Sequence, residues 1–327
     1  MTTSRIRRLG LTALAIAGFG AAVPASAQQA FLNREVRFLN AFAPGGTSDL
    51  LGRILADQLS QQIGQRVVVE NRTGAAGTIA TQETARAAPD GHTILLASMG
   101  IMAITPQMQQ VPYNVDSDLT PIVNVASVYN ILVANPNSEI RTWQDLARIG
   151  KERPRSLRCA TVGPGSSQQL SCVLFMSLTG AQLEQVPYRG GAPAILDIVA
   201  GRVDVMFGNM PEYMAQIRGG GLRAVAYGAS EASPLMPDLP VISRQGLPQF
   251  VIHNWFGIVG PGRMSAELTA RWNEEINKAM QAPEVQRRFV ANGLQRIGGS
   301  QQDFLRQIAA DRTQWGEVIR ANNIRPE

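Results

Sequence analysis

Residues 42–59, FAPGGTSDLLGRILADQL, decide the fold of this 327-residue chain, because they join a strand to a helix through two glycines. The apolar residues after Ser48 recur at helical spacing, so a buried helix is predicted to begin near Thr47 or Ser48. Three small oxygen-bearing side chains stand where a helix cap is expected. Two interpretations follow: a tight turn and nothing more, or a helix N-terminus whose exposed N–H groups bind an anion.

The same alternation of strand and helix continues along most of the chain. Strand-like segments include RVVVEN (66–71), TILLAS (93–98) and VDVMFGN (203–209). This βαβ rhythm predicts an α/β fold with open, mostly parallel sheets, which bind ligands beyond the carboxyl ends of their strands. Helices are predicted over 47–63, 78–87, 167–178, 192–200 and 212–218.

Two apolar segments are longer than typical strands and interrupt this rhythm. Residues 122–135 and 251–260 are interpreted as two strands that cross between lobes. The division that follows is lobe one over 28–130 plus 253–327, and lobe two over 131–252. Helices predicted near 265–281, 283–292 and 300–322 then complete lobe one.

The first 27 residues have the form of a cleaved signal peptide. Three arginines (Arg5, Arg7, Arg8) precede the uncharged apolar run LGLTALAIAGFGAAV, and Ala25-Ser26-Ala27 provides a cleavage site. Ordinary Sec export is favoured over twin-arginine export, because the Phe and Lys that usually follow the arginine pair are absent. The sequence therefore predicts an exported protein.

Removal of this segment lowers the net charge of the chain. Residues 1–27 contain three arginines and no acids, so cleavage lowers the formal net charge from +5 to +2. No cluster of Lys and Arg with interleaved aromatic residues occurs. We therefore expect no nucleic-acid partner.

The two cysteines leave two alternatives. Cys159 lies in a predicted strand and Cys172 in the helix that follows, so a disulfide between them is compatible with an oxidising compartment. The other alternative is a pair of buried thiols packed as small apolar side chains.

Catalytic and metal-binding patterns are missing. The chain has two histidines, His92 in a turn and His253 in the second crossing strand, and no Gly-x-Ser-x-Gly elbow, so hydrolase chemistry is disfavoured. No HExxH motif or pair of Cys or His at ligand spacing occurs. The stretch GPGSSQ (163–168) imitates a dinucleotide fingerprint, but Gln168 replaces the third glycine. We expect no catalytic residue, metal or cofactor.

Loops rich in small residues stand at the predicted strand ends in both lobes. Each glycine alone is more often a turn residue than a binding residue. Their joint placement predicts a cleft in which helix N-termini from both lobes hold a small anion. The loops are 44–49, 74–77, 98–100, 163–168, 189–191 and 208–209.

The sequence as a whole resembles the Bug family of periplasmic solute-binding proteins, the TctC-type receptors of tripartite tricarboxylate transporters. Residues 42–59, VVVENRTGAAGTIATQETARAAPDGHTILLAS (67–98), VGPGSSQQL (162–170), VPYRGGAPAILDIVAGRVDVMFGN (186–209) and LRAVAYGAS (222–230) carry the resemblance in the expected order. It implies a two-lobed Venus flytrap fold of type II-like topology with two inter-lobe strands. It also implies an organic carboxylate held in the cleft by main-chain N–H groups, small polar side chains and waters.

The resemblance assigns ligand-binding residues by position. Two departures stand out: His92, where relatives usually carry Tyr, in a surface turn, and Gln169, near where many carry His, which questions the contribution of that helix. The assigned residues are Phe42, Pro44, Gly45, Gly46, Thr47, Asp49, Ala75, Ala76, Gly77 and Ser98 in lobe one, and Gly165, Ser166, Ser167, Gly190, Gly191, Asp204 and Asn209 in lobe two.

Asp49 is unexpected in an anion site, since its carboxylate repels an anion. Our hypothesis is that it caps the helix or orients the N–H groups of the loop and nearby waters, which then touch the ligand. A plain first-turn acid is the alternative.

The resemblance also sets the expected partners. They are the membrane subunits of a tripartite tricarboxylate transporter, or alternatively a sensor kinase that reads the loaded receptor, and we expect a monomer. The ligand class stays open, with a slight preference for a dicarboxylate or an aromatic carboxylate. Apolar walls for an aromatic acid, or alternatively ordinary core positions, are Phe42, Met99, Met102, Tyr129, Phe207 and Met210.

Overall fold

The computed structural model describes residues 31–321 and 324. The predicted signal peptide, residues 1–27, lies outside the described residues. The βαβ rhythm of the sequence is confirmed, and the helix after Gly46 has the predicted bounds. The elements up to the first crossing strand are β1 (Val36–Asn40), α1 (Thr47–Ile63), β2 (Val67–Asn71), α2 (Thr78–Ala85), β3 (Thr93–Ser98), α3 (Thr105–Met108) and β4 (Leu119–Ala134).

The middle of the chain continues the alternation. One helix, over Trp143–Glu152, begins at a capping box in which the Thr142 hydroxyl accepts from Asp145 N at 3.1 Å. The elements are α4 (Trp143–Glu152), β5 (Arg158–Thr161), α5 (Ser167–Thr179), β6 (Glu184–Pro187), α6 (Gly191–Val199), β7 (Val205–Asn209), α7 (Met210–Arg218) and β8 (Arg223–Tyr227).

The last part of the chain returns to the first strands. A short strand, Leu294–Arg296, was not predicted, since three residues carry no readable period. The elements are β9 (His253–Pro261), α8 (Ala266–Gln281), α9 (Pro283–Ala291), β10 (Leu294–Arg296) and α10 (Gln301–Ala321).

One long strand, β4, joins the two parts of the sheet. Its residues up to Tyr129 pair antiparallel with β9, and its residues from Asn130 pair with β7 and β8. The strand order is β2-β1-β3-β9-β4-β7-β5-β6, with β10 and β8 both on β4. We call the part on the β9 side of this change the first half-sheet and the part on the β7 side the second half-sheet. The lobe boundaries themselves stay a prediction.

Strand direction places the functional loops. Strands β1, β2 and β3 are parallel to one another, and so are β5, β6 and β7. The loops that follow these strands therefore leave each half-sheet at one edge, where α/β proteins bind ligands.

Of the two alternatives for the cysteines, the structure shows the pair of buried thiols. Cys159 and Cys172 are fully buried within one apolar core cluster and are not joined by a disulfide. Burial among apolar side chains accounts for both as small hydrophobes.

Two local expectations are corrected. His92 is buried, with 7% of its surface exposed, because the Asp90 carboxylate accepts its backbone N–H at 3.0 Å and turns the residue inward. Ser98 ends β3 as predicted, but the chain from Gly100 to Ile104 is π-helical rather than an open loop, and all five residues are buried.

Helix α10 closes the first half-sheet through aromatic packing. Phe304 packs edge-on against Trp255 with ring centroids 5.1 Å apart, and it covers Gly257, where a Cβ would overlap its ring. The Trp255 indole N–H donates to the buried Asp311 carboxylate at 2.6 Å. This contact fixes β9, the strand that carries part of the site described below.

Replacing Phe304 by Ala should therefore destabilise the protein strongly. A fully buried Phe lost from a core costs about 3–5 kcal/mol, because a cavity remains. The neighbouring Leu305→Ala is the matched control, since Leu305 is 39% exposed and its loss should stay within about 0.5 kcal/mol. Urea unfolding of both variants measures the difference, and equal midpoints would contradict this account of α10.

Candidate functional site

A cavity of about 410 Å³, partly continuous with solvent, lies at the carboxyl ends of the strands between the two half-sheets. The walls combine apolar side chains with hydroxyls, amides and one carboxyl group. The lining residues are Phe42, Gly46, Thr47, Ser48, Ser98, Val162, Ser166, Ser167, Gln168, Gly190, Gly191, Asn209, Glu212, Asn254 and Phe256.

Four helices, α1, α5, α6 and α7, begin at this cavity. Ser166 caps α5 by accepting from Gln169 N at 3.1 Å, whereas α1 and α6 follow glycines that give no side-chain cap. First-turn N–H groups lack intrahelical partners, and each helix start carries partial positive charge. None of the described residues that line the cavity is Lys or Arg. Backbone groups therefore supply the positive potential.

Glu212, on α7, places its carboxyl group against the N-terminus of α1 on the opposite side of the cavity. Its Oε1 atom accepts hydrogen bonds from Thr47 Oγ1 at 2.9 Å, from Asn209 Nδ2 at 3.0 Å and from Thr47 N at 3.4 Å. A carboxylate of the second half-sheet is thus bound by a helix start of the first.

The other carboxyl oxygen, Glu212 Oε2, is buried and has no hydrogen-bond partner among the described residues. It lies against Gly191, where any Cβ would overlap it, so glycine at this position leaves room for the carboxyl group. Burial raises the pKa of Glu212, and the hydrogen bonds from Asn209 and Thr47 offset only part of this effect.

A second amide extends this contact back to the first half-sheet. Asn254, on β9, donates from Nδ2 to Asn209 Oδ1 at 2.8 Å. Both amides are 3% exposed, and Asn254 Oδ1 has no partner within the described part of the chain. These four residues, Thr47, Glu212, Asn209 and Asn254, therefore form one chain of hydrogen bonds that crosses between the half-sheets twice.

Asp49 lies behind the loop and does not line the cavity. Its carboxylate accepts from Gly45 N at 3.0 Å and from Asn71 Nδ2 at 3.1 Å, and it forms a two-point ion pair with Arg53 at 3.0 Å. Burial raises its pKa, but the bonds from Arg53, Gly45 and Asn71 outweigh burial and lower it overall. Asp49 thus holds the loop through the Gly45 N–H and has no place on the cavity wall. The part of the hypothesis in which the oriented N–H groups touch a ligand stays a prediction.

Nine of the residues assigned from the sequence line the cavity. Pro44 and Gly45 are exposed and do not line this cavity. Gly165 is buried against Thr105, and its N–H donates to Gln169 Oε1 at 2.8 Å, so Gln169 holds the loop that precedes α5. The nine are Phe42, Gly46, Thr47, Ser98, Ser166, Ser167, Gly190, Gly191 and Asn209.

Asp204, which was assigned to the site, does not line this cavity. Asp204 precedes β7, whereas the cavity lies beyond the other end of that strand, about 17 Å away at about 3.3 Å per residue. Its carboxylate accepts from Arg158 N at 2.7 Å and pairs with the Arg158 side chain. It therefore stabilises the edge opposite the site.

The loop 75–77 lines a neighbouring cavity of about 540 Å³ that shares Phe42 and Val162 with the first. Ala75 and Ala76 have φ of 46° and 53°, a left-handed conformation that costs about 1–2 kcal/mol per residue outside glycine. Tyr188 and Arg189 close the other side of this space. Whether a ligand extends here stays a prediction.

Six lining residues were missed: Ser48, Val162, Gln168, Glu212, Asn254 and Phe256. Ser48, Val162 and Gln168 adjoin residues that were selected. Glu212 stands three residues after Asn209, which is the spacing of a helix cap, and the sequence gives no sign that it reaches α1. Asn254 and Phe256 belong to a strand whose contacts only the fold defines.

The proposed aromatic wall is mostly core. Phe42 lines the cavity, whereas Met99, Met102, Tyr129, Phe207 and Met210 are buried in the two core clusters. Apolar contact at the cavity comes instead from Phe42, Val162 and Phe256.

Neither His92 nor His253 lines the cavity. Within residues 31–321 and 324, no group of three or more His, Cys, Asp or Glu side chains is arranged to hold a metal ion. None of the helices described is long and apolar enough to cross a membrane.

Comparison with known proteins gives consistent matches over nearly the whole chain. A sequence profile described as "Tripartite tricarboxylate transporter family receptor" matches residues 51–324. Protein BugT of Bordetella pertussis is 35% identical over 316 residues, which covers 96% of this chain and 97% of BugT.

Solved structures with the same fold include ligand complexes. A protein of R. palustris with adipate superposes with a TM-score of 0.87 at 30% identity, covering 90% of this chain and 99% of that one. MatC from Rhodopseudomonas palustris with bound malate gives a TM-score of 0.84 at 27% identity, covering 88% and 99%. These neighbours establish the two-lobed α/β fold of periplasmic binding proteins.

Replacing Asp49 by Asn should lower stability in a pH-dependent way. The pKa of Asp49 is lowered in the folded protein, so its carboxylate stabilises the fold above the unfolded value of about 3.9. This stabilisation, about 1–3 kcal/mol for a buried hydrogen-bonded charge, disappears as the pH falls through the folded pKa. Urea unfolding from pH 7 down to pH 3 measures the difference from the native protein.

The matched control is Asp57→Asn on the same helix. The Asp57 side chain is 64% exposed and pairs with Arg288 at the surface, where such a pair contributes about 0–1 kcal/mol. Equal losses for the two variants at neutral pH would contradict the role given to Asp49.

Proposed function

The chain belongs to the family of tripartite tricarboxylate transporter receptors, and from this membership we propose that it is a periplasmic receptor that captures an organic carboxylate and delivers it to the membrane subunits of such a transporter. Its export through a cleaved signal peptide and its action as a monomer are part of this proposal.

The contact between Glu212 and α1 carries the proposal. A carboxylate already rests on the start of one helix that opens into the cavity, with Thr47 N and Thr47 Oγ1 as donors. Helices α5 and α6 start at the same cavity and offer the same kind of donor to a ligand carboxylate. A charge at a partly buried helix start is stabilised by up to about 2 kcal/mol, so two or more starts hold an anion without any cationic side chain.

The ligand-bound neighbours support the same class of ligand. One was solved with adipate and another with malate, both organic carboxylates. These two proteins are 30% and 27% identical to this chain. They therefore support an organic carboxylate as the class of ligand, without specifying which acid.

Closure of two lobes is the proposed mechanism of capture. The backbones approach closely across the cleft: a Cβ on Gly190 would lie 2.9 Å from Ala43 Cβ, and one on Gly45 would lie 3.5 Å from Ala192 Cβ. A ligand that contacts both sides stabilises the closed arrangement by its differential affinity. With lobe one as residues 28–130 plus 253–327 and lobe two as 131–252, the transporter then recognises the rim that closure brings together.

A carboxylate should raise the melting temperature of the mature protein, residues 28–327, refolded to remove retained ligand. At about a hundred times its dissociation constant, a ligand adds about 2.7 kcal/mol, which for a chain of this length raises the melting temperature by roughly 4 °C. The panel contains mono-, di- and tricarboxylates, aromatic acids and amino acids, with the matching amides as controls. If no carboxylate of the panel raises the melting temperature of a folded sample, the proposed function is rejected.

Replacing Gly165 by Ala should weaken ligand binding by blocking closure. A Cβ at this position would lie 2.5 Å from Thr105 Oγ1 and 3.1 Å from Thr105 Cα, across the cleft. Gly180→Ala is the matched control: its φ is 74° against 77° for Gly165, but its Cβ would meet only Lys151 at 3.7 Å.

Both variants carry a similar backbone strain, so only the contact across the cleft separates them. We expect at least tenfold weaker binding of the best acid of the panel for Gly165→Ala than for Gly180→Ala, about 1.4 kcal/mol. Calorimetry gives the affinity and small-angle scattering gives the contraction on binding. Equal affinities and equal contraction would exclude the closure mechanism.

A further inference from the structure

The hydrogen bonds at the cavity have a fixed direction. A backbone N–H can only donate, so the bond from Thr47 N makes Glu212 Oε1 an acceptor. Asn209 must then donate to Glu212 with its NH₂ group, which turns its carbonyl toward Asn254. Asn254 in turn donates to that carbonyl, so its own oxygen points away from the chain of bonds.

With Glu212 ionised, both free ends of this chain are acceptors. Glu212 Oε2 and Asn254 Oδ1 line the same cavity, are buried and lack a partner among the described residues. Buried polar atoms in native proteins nearly always have a hydrogen-bond partner. Two such acceptors at one cavity are positions where a ligand can supply the missing donors.

Charge points the same way. The described side chains that line the cavity include the Glu212 carboxyl group and no Lys or Arg. The two residues that bond Glu212, Thr47 and Asn209, are neutral. A ligand carboxylate at the neighbouring helix starts would be repelled by an ionised Glu212 unless a cation stood between them.

We propose that Glu212 Oε2 and Asn254 Oδ1 form an ammonium subsite, and that the ligand is a zwitterionic amino acid. Its carboxylate binds the starts of α5 and α6, and its ammonium group donates to the two free acceptors. An ammonium has three donors and a full positive charge, whereas a hydroxyl has one donor and none. This inference rests on the proposed function and narrows its ligand class.

Neighbouring residues hold the Glu212 carboxyl group in position. Only glycine at position 191 leaves room for the Glu212 carboxyl group, and Thr47 and Asn209 fix its orientation through Oε1 alone. The second oxygen is thereby held in place and left unused by the protein.

Matched ligands test the subsite. Succinate, L-malate and L-aspartate share a four-carbon diacid skeleton and differ only in hydrogen, hydroxyl or ammonium at one carbon. Propionate, L-lactate and L-alanine form a shorter set, and glutarate, 2-hydroxyglutarate and L-glutamate a longer one. Within any set that binds, calorimetry on the refolded mature protein should find the amino acid at least about tenfold tighter than the other two, as expected for a hydrogen bond to a charged group.

The substitution Glu212→Gln tests whether Glu212 binds the ammonium group of the ligand. The amide oxygen keeps the bonds from Thr47 and Asn209, so its NH₂ group replaces Oε2 and presents donors where an acceptor stood. The preference for the amino acid should fall about tenfold or reverse. Glu184→Gln, exposed on β6, should leave it unchanged. Asn254→Ala is a second variant and should also reduce the preference.

Each outcome separates this inference from the proposed function. Equal or tighter binding of the hydroxy or unsubstituted acid would overturn the ammonium subsite and leave the carboxylate receptor intact. An unchanged preference in Glu212→Gln, with native-like unfolding, would overturn the role of Glu212. If no carboxylate of any kind binds, the proposed function itself fails.

Discussion

One carboxyl group, that of Glu212, organises the cleft. It reaches from α7 to the start of α1, and it contacts or orients the residues around it. Glycine at position 191 leaves room for this carboxyl group, which a Cβ there would overlap. Asn209 turns its amide toward Glu212 and thereby sets the orientation of Asn254. A single side chain thus determines which polar atoms the cavity presents.

The positive potential that balances this carboxylate comes from the backbone. Four helices begin at the cavity and no basic side chain lines it among the residues described. Asp49 contributes from behind, because it fixes Gly45 N–H and is itself neutralised by Arg53. Helix starts have a fixed direction, so this arrangement favours an anion without ordering long flexible side chains.

Sequence patterns predicted the elements well and the contacts between them poorly. The bounds of α1 and the ends of β1, β3 and β7 follow from local periodicity and turn residues, which act over a few positions. Asp204 lies away from the cavity because the two ends of a strand face opposite edges of the sheet, and the resemblance did not resolve which end reaches the cleft. Glu212 was missed because its partner Thr47 is 165 residues away. His92 looked like a surface residue because turn composition does not report what packs over the turn.

A carboxyl group that lines the cavity is compatible with binding of an anion once its two oxygens are considered separately. Oε1 is fully bonded and acts as part of the scaffold, since it joins the two half-sheets through Thr47. Oε2 is buried without a partner, and burial raises the pKa of the group. A positive group placed there stabilises the ionised form and removes the repulsion on a second carboxylate. The same residue that disfavours a simple anion therefore favours a ligand that carries both charges.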